Sequence, residues 1–311
     1  MLTSGLLTSR SILALAIMSL PVPAAFAQIR VDVDLVVLPA TVEDRHGQRV
    51  SDLRQDDFKV SEDRVLQQIR LFRHEDIPVT VGLVVDHSGS MEAKLGEVTV
   101  GARAFVRSSN AADQIFVVNF NETVSLGLPD TIGFTTNVEA LERAIWRSTA
   151  AGQTALYDAI ARALGRLQAG GRDKKVLVVM SDGSDNASAH SLAQVLQMAE
   201  RSNAIIYTVG LFAPDDPDAN PRVLNRLAQA TGGEAFFPQD LRSVVTICER
   251  IARDIRSQYT IGYVSNNAKR DGAYRAVRVA AQAAGHGKLL VRTRSGYIAG
   301  ELSRPQREAE K

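Results

Sequence analysis

The chain has little of what several classes of protein require. Its single cysteine, Cys248, cannot form a disulfide within the chain, so the fold does not rely on covalent cross-links. The 36 basic and 35 acidic side chains leave a net charge of +1, and no basic patch with interleaved aromatic residues occurs. These features argue against a nucleic-acid partner. Beyond residue 27 no apolar run reaches the length of a bilayer span, so we expect none in the mature chain.

Motifs of common enzyme classes are also missing. A nucleophile elbow requires Gly-x-Ser-x-Gly, but Asp86 and Ser90 occupy the two glycine positions around Ser88. Only His190 and His286 follow Ser88 as candidate bases, and His190 lies at a predicted helix start, where capping or solvation is the commoner role. A Walker-type phosphate loop and a His/Cys cluster for zinc are absent. We therefore predict that the protein is not an enzyme.

The first 27 residues have the layout of a cleaved secretory signal. Arg10 is their only charged residue, and residues 11–20 form an apolar run. Ala25 and Ala27 supply the small residues expected before a cleavage site. The alternative, an N-terminal membrane anchor, is disfavoured because the run is shorter than the roughly 20 residues that a spanning helix needs. We expect an exported protein, either periplasmic or secreted.

Strand and helix patterns alternate between residues 78 and 257. Largely apolar runs at residues 79–85 and 175–180 are typical of strands buried on both faces. Further strands are predicted at residues 115–120, 204–209 and 233–237, and helices at residues 91–106, 138–146, 155–167, 190–201, 221–230 and 241–255. The alternation predicts an α/β domain with a doubly wound, mostly parallel sheet.

Short β patterns flank this α/β domain. Residues 28–77 and residues 258–300 contain β-branched or alternating runs separated by turns. Each region is small for an independent core. Our hypothesis is that they pair into one small β domain with the α/β domain inserted between them. Residues 301–311 are polar, and we expect this tail to be disordered. We expect a solvated basic face on the C-terminal β region, formed by Arg275, Arg278, Arg292 and Arg294.

Polar side chains follow the apolar runs at residues 79–85 and 175–180. Asp86, Ser88 and Ser90 come directly after the first run, and Gly89 between the serines permits a sharp turn. Asp182 comes directly after the run at residues 175–180. In an open α/β sheet, ligands bind outside the carboxyl ends of the strands. We therefore expect these side chains to meet at one site.

Thr154 precedes the predicted helix at residues 155–167 and adds a third hydroxyl. Taken alone, it would be a helix N-cap, and Asp182 would be an ordinary turn residue. Together, two carboxylates and three hydroxyls form a set of hard oxygen ligands that suits Mg²⁺. Neutral hydroxyls leave the charge of the ion poorly compensated, so a carboxylate from outside would be a favourable additional ligand. The residues therefore predict metal-dependent recognition without catalysis.

These segments resemble the metal-ion-dependent adhesion site of von Willebrand factor type A (VWA) domains. The shared elements are an Asp-x-Ser-x-Ser pattern beginning at Asp86, a Gly-x-Thr-Ala-Leu-Tyr-Asp-Ala segment containing Thr154, and Ser-Asp-Gly around Asp182. The resemblance covers residues 78–257. It implies that the three hydroxyls approach a Mg²⁺, Mn²⁺ or Ca²⁺ ion directly, whereas the carboxylates often act through water. Gln153 departs from the family, which more often has Gly there, and we expect an altered loop shape.

The flanking regions are similar to those of a bacterial exported group, the VWFA-related proteins. The similarity lies in residues 52–69, 258–263 and 294–297. We expect an exported binding or adhesion module that presents a Mg²⁺-like ion to an Asp or Glu carboxylate of a protein partner. Two alternatives stay open: a metal-dependent hydrolase using the same site, and a metal-free structural scaffold.

Overall fold

The computed structural model describes residues 35–146, 150–212 and 219–300. The predicted signal peptide and the polar tail lie outside these residues. The strands are β1 (Leu35–Glu43), β2 (Phe58–Glu62), β3 (Val65–Gln67), β4 (Ile69–Arg73), β5 (Val79–Asp86), β6 (Gln114–Phe120), β7 (Val124–Leu126), β8 (Lys174–Ser181), β9 (Ile205–Gly210), β10 (Ala235–Phe236), β11 (Tyr259–Val264), β12 (Tyr274–Ala281), β13 (Leu290–Arg292) and β14 (Gly296–Ile298). The helices are α1 (Leu95–Arg107), α2 (Val138–Ile145), α3 (Leu156–Leu167), α4 (Leu192–Ser202), α5 (Pro221–Thr231) and α6 (Ser243–Arg256).

A six-stranded sheet forms the centre of the α/β region, in the order β10-β9-β8-β5-β6-β7. All of its pairings are parallel except that of β7 with β6. Every residue of β5 is buried, on both faces of the sheet. Helix α1 packs with α2 and α6, and α3 packs with α4, which contacts α5. The predicted doubly wound, mostly parallel α/β fold is confirmed.

The first helix begins later than the sequence pattern predicts. Residues Gly89–Lys94 form a 3₁₀ segment, and α1 starts only at Leu95. The Met91 N–H donates to the Ser88 carbonyl, an i to i+3 bond of the tighter 3₁₀ geometry. The apolar periodicity does not distinguish this tight turn from an α-helix. Three short strands, β3, β7 and β14, were not predicted either.

The two flanking regions build two four-stranded sheets together. Their strand orders are β13-β1-β11-β4 and β14-β12-β2-β3. In the first sheet β1 is antiparallel to β11, and in the second β2 is antiparallel to β12, so each sheet joins segments far apart in the chain. Buried side chains from both flanks, Phe58 and Tyr259 among them, share a core separate from that of the α/β region. That the two flanking regions form one small β domain stays a prediction.

The expectation of a solvated basic face on the C-terminal β region is wrong for three of its four arginines. Arg275 and Arg294 are 8% and 7% exposed. Arg294 donates to the Asn203 side chain, and its guanidinium lies 5.7 Å from the centre of the Tyr297 ring. Arg292 forms ion pairs with acids of the α/β region. Asn203 and Glu234 are distant from these arginines in sequence, so the strand pattern alone could not indicate the contacts.

Six charged side chains join the flanking sheets to the α/β region in one ionic cluster. The flanks contribute Glu43, Arg49 and Arg292, and the α/β region contributes Glu234, Arg250 and Asp254. The Asp254 side chain, on α6, is only 2% exposed, and its Oδ1 accepts a 2.7 Å hydrogen bond from Arg49 Nε. A buried carboxylate is tolerated only when it is paired in this way.

The flanking strands contact the α/β region at the amino ends of the parallel strands. Asn203, which pairs with Arg294, stands two residues before β9. Gly232 ends α5 with a φ of 81°, and a Cβ atom there would lie 2.5 Å from the Arg294 backbone nitrogen. Asp76, just before β5, forms a 2.6 Å ion pair with Arg256 at the end of α6. No helix among the described residues is long and apolar enough to cross a bilayer.

We expect Arg49→Ala to lower the free energy of unfolding by about 3 kcal/mol, because it leaves Asp254 buried without its closest partner. Arg242→Ala is the matched control, since the Arg242–Asp240 pair is exposed and its loss should change the free energy of unfolding much less. Urea unfolding followed by circular dichroism measures both. Equal losses in the two variants would show that the ionic cluster does not stabilise the fold.

Candidate metal site

The two carboxylates of the candidate site leave the sheet side by side. Asp86 is the last residue of β5, and Asp182 directly follows β8. These strands are parallel neighbours, with Val85 opposite Met180. Both carboxylates therefore emerge at the carboxyl edge of the sheet, where α/β proteins bind their ligands. Both residues are fully buried.

The three hydroxyl residues join Asp182 through a continuous set of hydrogen bonds. Ser88 Oγ lies 3.1 Å from Ser90 Oγ, and Ser90 Oγ donates to Asp182 Oδ2 over 2.5 Å. On the other side, Ser184 Oγ donates to Asp182 Oδ1 over 3.0 Å and lies 3.4 Å from Thr154 Oγ1. The structure thus brings together side chains from three separate loops. Ser184 was missed by sequence reasoning, although it stands only two residues after Asp182.

Asp86 is linked to this network through backbone and side-chain donors. Its Oδ1 accepts the Ser88 N–H over 2.8 Å, and its Oδ2 accepts the Ser181 hydroxyl over 2.6 Å. Burial raises the pKa of Asp86 to about 6, and the nearby Asp182 charge also raises it, against the lowering effect of the hydrogen bonds. The site therefore holds a carboxyl that is costly to ionise without a neighbouring positive charge.

Thr154 is not the N-cap of α3. The N-cap residue is Ala155, which has no side-chain capping bond. Thr154 is 3% exposed, and its N–H donates to Asn186 Oδ1 over 2.8 Å. Its hydroxyl contacts Ser184 in the network, so the capping alternative is wrong.

Gln153 contacts a neighbouring loop through its backbone N–H, while its side chain is exposed. Gly152 has a φ of 80°, the left-handed conformation that favours glycine, whereas Gln153 is not among the residues with positive φ. The Gln153 N–H donates to Glu122 Oε2 over 2.8 Å, and its own side chain is exposed. A side chain at residue 153 is therefore compatible with this backbone. The expected change of loop shape relative to the family stays a prediction.

The histidines near the site in sequence bond to other groups. His87 is buried, with its Nε2 3.2 Å from Asn119 Oδ1. His190 precedes α4, whose N-cap is Ser191, and its Nδ1 lies 2.6 Å from Asp158 Oδ1. The donor set around Asp182 therefore consists of hydroxyl and carboxylate oxygens.

This donor set fits a small hard cation. No group of three or more His, Cys, Asp or Glu residues that could hold a metal occurs in residues 35–146, 150–212 and 219–300. An ion at this site would depend on the hydroxyls of Ser88, Ser90 and Thr154 together with the two carboxylates. Hydroxyl and carboxylate oxygens suit Mg²⁺ or Mn²⁺, whereas zinc prefers nitrogen and sulfur ligands.

A mostly parallel α/β sheet with hydroxyl and carboxylate side chains at its carboxyl edge is typical of a ligand-binding α/β domain. The family model of the von Willebrand factor type A domain matches residues 80–250, and the chain belongs to this family. No curated protein sequence matches the chain.

Several solved structures are similar to this chain at low sequence identity. A von Willebrand factor type A protein from Catenulispora acidiphila is 14% identical, with a TM-score of 0.50 over 86% of this chain and 73% of that chain. Proximal thread matrix protein 1 of the mussel byssus is 16% identical, with a TM-score of 0.51 over 63% of this chain and 51% of that chain. BatB from Bacteroides thetaiotaomicron is 13% identical, with a TM-score of 0.47 over 57% of this chain and 98% of that chain.

The burial of Asp86 predicts a specific pH dependence of stability. In chelator, we expect Asp86→Asn to be more stable than the native chain at pH 7.5 by roughly 1–3 kcal/mol. The folded protein keeps a proton on Asp86 up to a pH of about 6, against a reference of 3.8. The native chain therefore loses stability as pH rises through this window, and the difference should vanish near pH 4.

Urea unfolding at several pH values measures this difference. Asp130→Asn, at an exposed residue, controls for the loss of one charge. A difference between Asp86→Asn and the native chain that stays constant from pH 4 to pH 7.5 would contradict the raised pKa of Asp86.

Proposed function

We propose that the protein is an exported binding module that presents a Mg²⁺-like ion to an Asp or Glu carboxylate of a protein partner. The observation that carries the proposal is the connected set of hydroxyls and carboxylates at the carboxyl edge of the sheet. Membership of the VWA family supports a role in protein interaction. The layout of residues 1–27 supports export to the periplasm or beyond the cell.

In this proposal the hydroxyls of Ser88, Ser90 and Thr154 hold the ion. Asp182 orients two hydroxyls, because its carboxylate accepts from both Ser90 and Ser184. Asp86 fixes the start of the serine loop by accepting the Ser88 N–H. When bound, the ion supplies a positive centre whose charge the neutral hydroxyls only partly compensate. A carboxylate from a partner would then bind the ion and compensate the rest of its positive charge.

Binding is favoured over hydrolysis by the surroundings of the site. A hydrolase would need a base aimed at a metal-bound water. The His190 side chain bonds to Asp158 rather than to the hydroxyl network, and His87 Nε2 lies 3.2 Å from Asn119 Oδ1. We therefore assign the site to recognition.

Isothermal titration of the chain from Gln28 with MgCl₂ and MnCl₂ tests the metal site. We expect one ion per chain, and a loss of affinity of at least about tenfold in Thr154→Val, which removes one ligand oxygen while keeping the side-chain shape. Thr136→Val, at an exposed residue, is the matched control. A native chain that binds no ion, or a Thr154→Val variant that binds as tightly as the native chain, would refute the site.

Metal-dependent capture tests the partner. Immobilised native chain and Thr154→Val are exposed to proteins of the same cell envelope in Mn²⁺ and then eluted with EDTA. A protein that the native chain alone retains, and releases in EDTA, should lose binding when its contacting Asp or Glu is changed to Asn or Gln. Equal retention by both chains would indicate a metal-free scaffold instead.

A further inference from the structure

The segment that carries Thr154 is held by its neighbours rather than by its own helix. The first N–H groups of an α-helix have no partner within the helix. Just before α3, the N–H groups of Gln153, Thr154 and Ala155 all donate to groups from other loops. The acceptors are Glu122 Oε2 at 2.8 Å, Asn186 Oδ1 at 2.8 Å and the Asn121 carbonyl at 2.7 Å.

Glu122 lies where the threonine loop meets the serine loop. Its carboxylate packs so closely on Gly152 that a Cβ atom there would lie 1.6 Å from Oε2. The Gly152 carbonyl in turn accepts the N–H of Gly89, the residue between the two site serines, over 3.2 Å. Glu122 therefore fixes a backbone segment that contacts both hydroxyl-bearing loops. Its side chain is exposed, so this contact is not required to fill a core.

Asn186 holds the same segment from the opposite side. While its Oδ1 accepts the Thr154 N–H, its own N–H donates to the Thr154 carbonyl over 3.0 Å. The Ala187 N–H donates to that carbonyl as well, over 3.1 Å. Asn186 follows Asp182 by four residues, so the reciprocal pair ties the threonine to the loop of the second carboxylate. Both polar groups of the Thr154 backbone are thus bonded.

We infer that Glu122 and Asn186 are positioning residues that hold the Thr154 hydroxyl ready for the metal ion. The inference rests on the proposed metal site. A neutral hydroxyl is a weak ligand, so its contribution depends on being held in place before the ion arrives. Partners that orient metal ligands in this way typically account for about 10–100-fold in metal affinity. Glu122 acts through its hydrogen bond to the Gln153 N–H, and Asn186 through its pair of bonds to Thr154.

Mn²⁺ titration of the native chain, Glu122→Ala, Glu122→Gln and Asn186→Ala tests the inference. We expect about tenfold weaker binding in both alanine variants, and for Glu122→Ala an unfolding temperature in chelator close to that of the native chain. Glu122→Gln should bind within about threefold of the native chain, because its amide oxygen can still accept the Gln153 N–H. Glu139→Ala, at an exposed residue of α2, controls for the loss of a negative charge.

The outcomes separate this inference from the proposed function. A native chain that binds no Mn²⁺ refutes the proposed function, and the inference with it. A native chain that binds Mn²⁺ while Glu122→Ala binds equally well, or more tightly, overturns the inference alone. Equal weakening in Glu122→Gln and Glu122→Ala also overturns it, because the carboxylate charge and not the hydrogen bond would then be responsible. Amide hydrogen exchange at residues 153–155 gives a metal-free readout, and it should be faster in Glu122→Ala.

Discussion

Parallel pairing of β5 with β8 is the constraint on which the candidate site depends. It brings Asp86 and Asp182 out at one edge of the sheet, both fully buried. Burial makes the charged form of Asp86 costly, and the charge of the neighbouring Asp182 adds a smaller repulsion, so both raise the pKa of Asp86. The serines of both loops reduce that cost with hydrogen bonds. A cation at the edge would reduce it further, so the arrangement that makes ionisation of Asp86 costly would also favour binding of an ion.

The two ends of the sheet have different surroundings. At the carboxyl end, three loops meet through hydroxyls and backbone groups, and Gly152 allows close approach because a Cβ atom there would collide with Glu122. At the amino end, the flanking sheets attach through buried arginines and through the cluster around Asp254. The bonds that stabilise the junction are thus separated from those that shape the site.

The sequence indicated those features that depend on local pattern. Long apolar runs predicted β5 and β8, and the polar residues directly after them predicted Asp86 and Asp182 at one edge. Features that depend on contacts between distant segments were missed. The contact of Ser184 with Thr154 and that of the buried Arg294 with Asn203 belong to this group, because nothing in the adjacent sequence shows what each side chain meets across the fold. Glu122 and Asn186 are further examples, since each acts on a loop about 30 residues away.

The attachment of the flanking sheets at the amino end has a mechanical consequence. The chain enters the α/β region before β5 and leaves it after α6, and the Asp76–Arg256 ion pair joins these two crossings. A partner bound at the carboxyl edge would pull on the carboxyl end of β5, while the flanking sheets hold its amino end. Tension between the partner and the flanking sheets would then run along β5. Its hydrogen bonds with β6 and β8 would be loaded together in shear, which resists force better than peeling them apart one at a time.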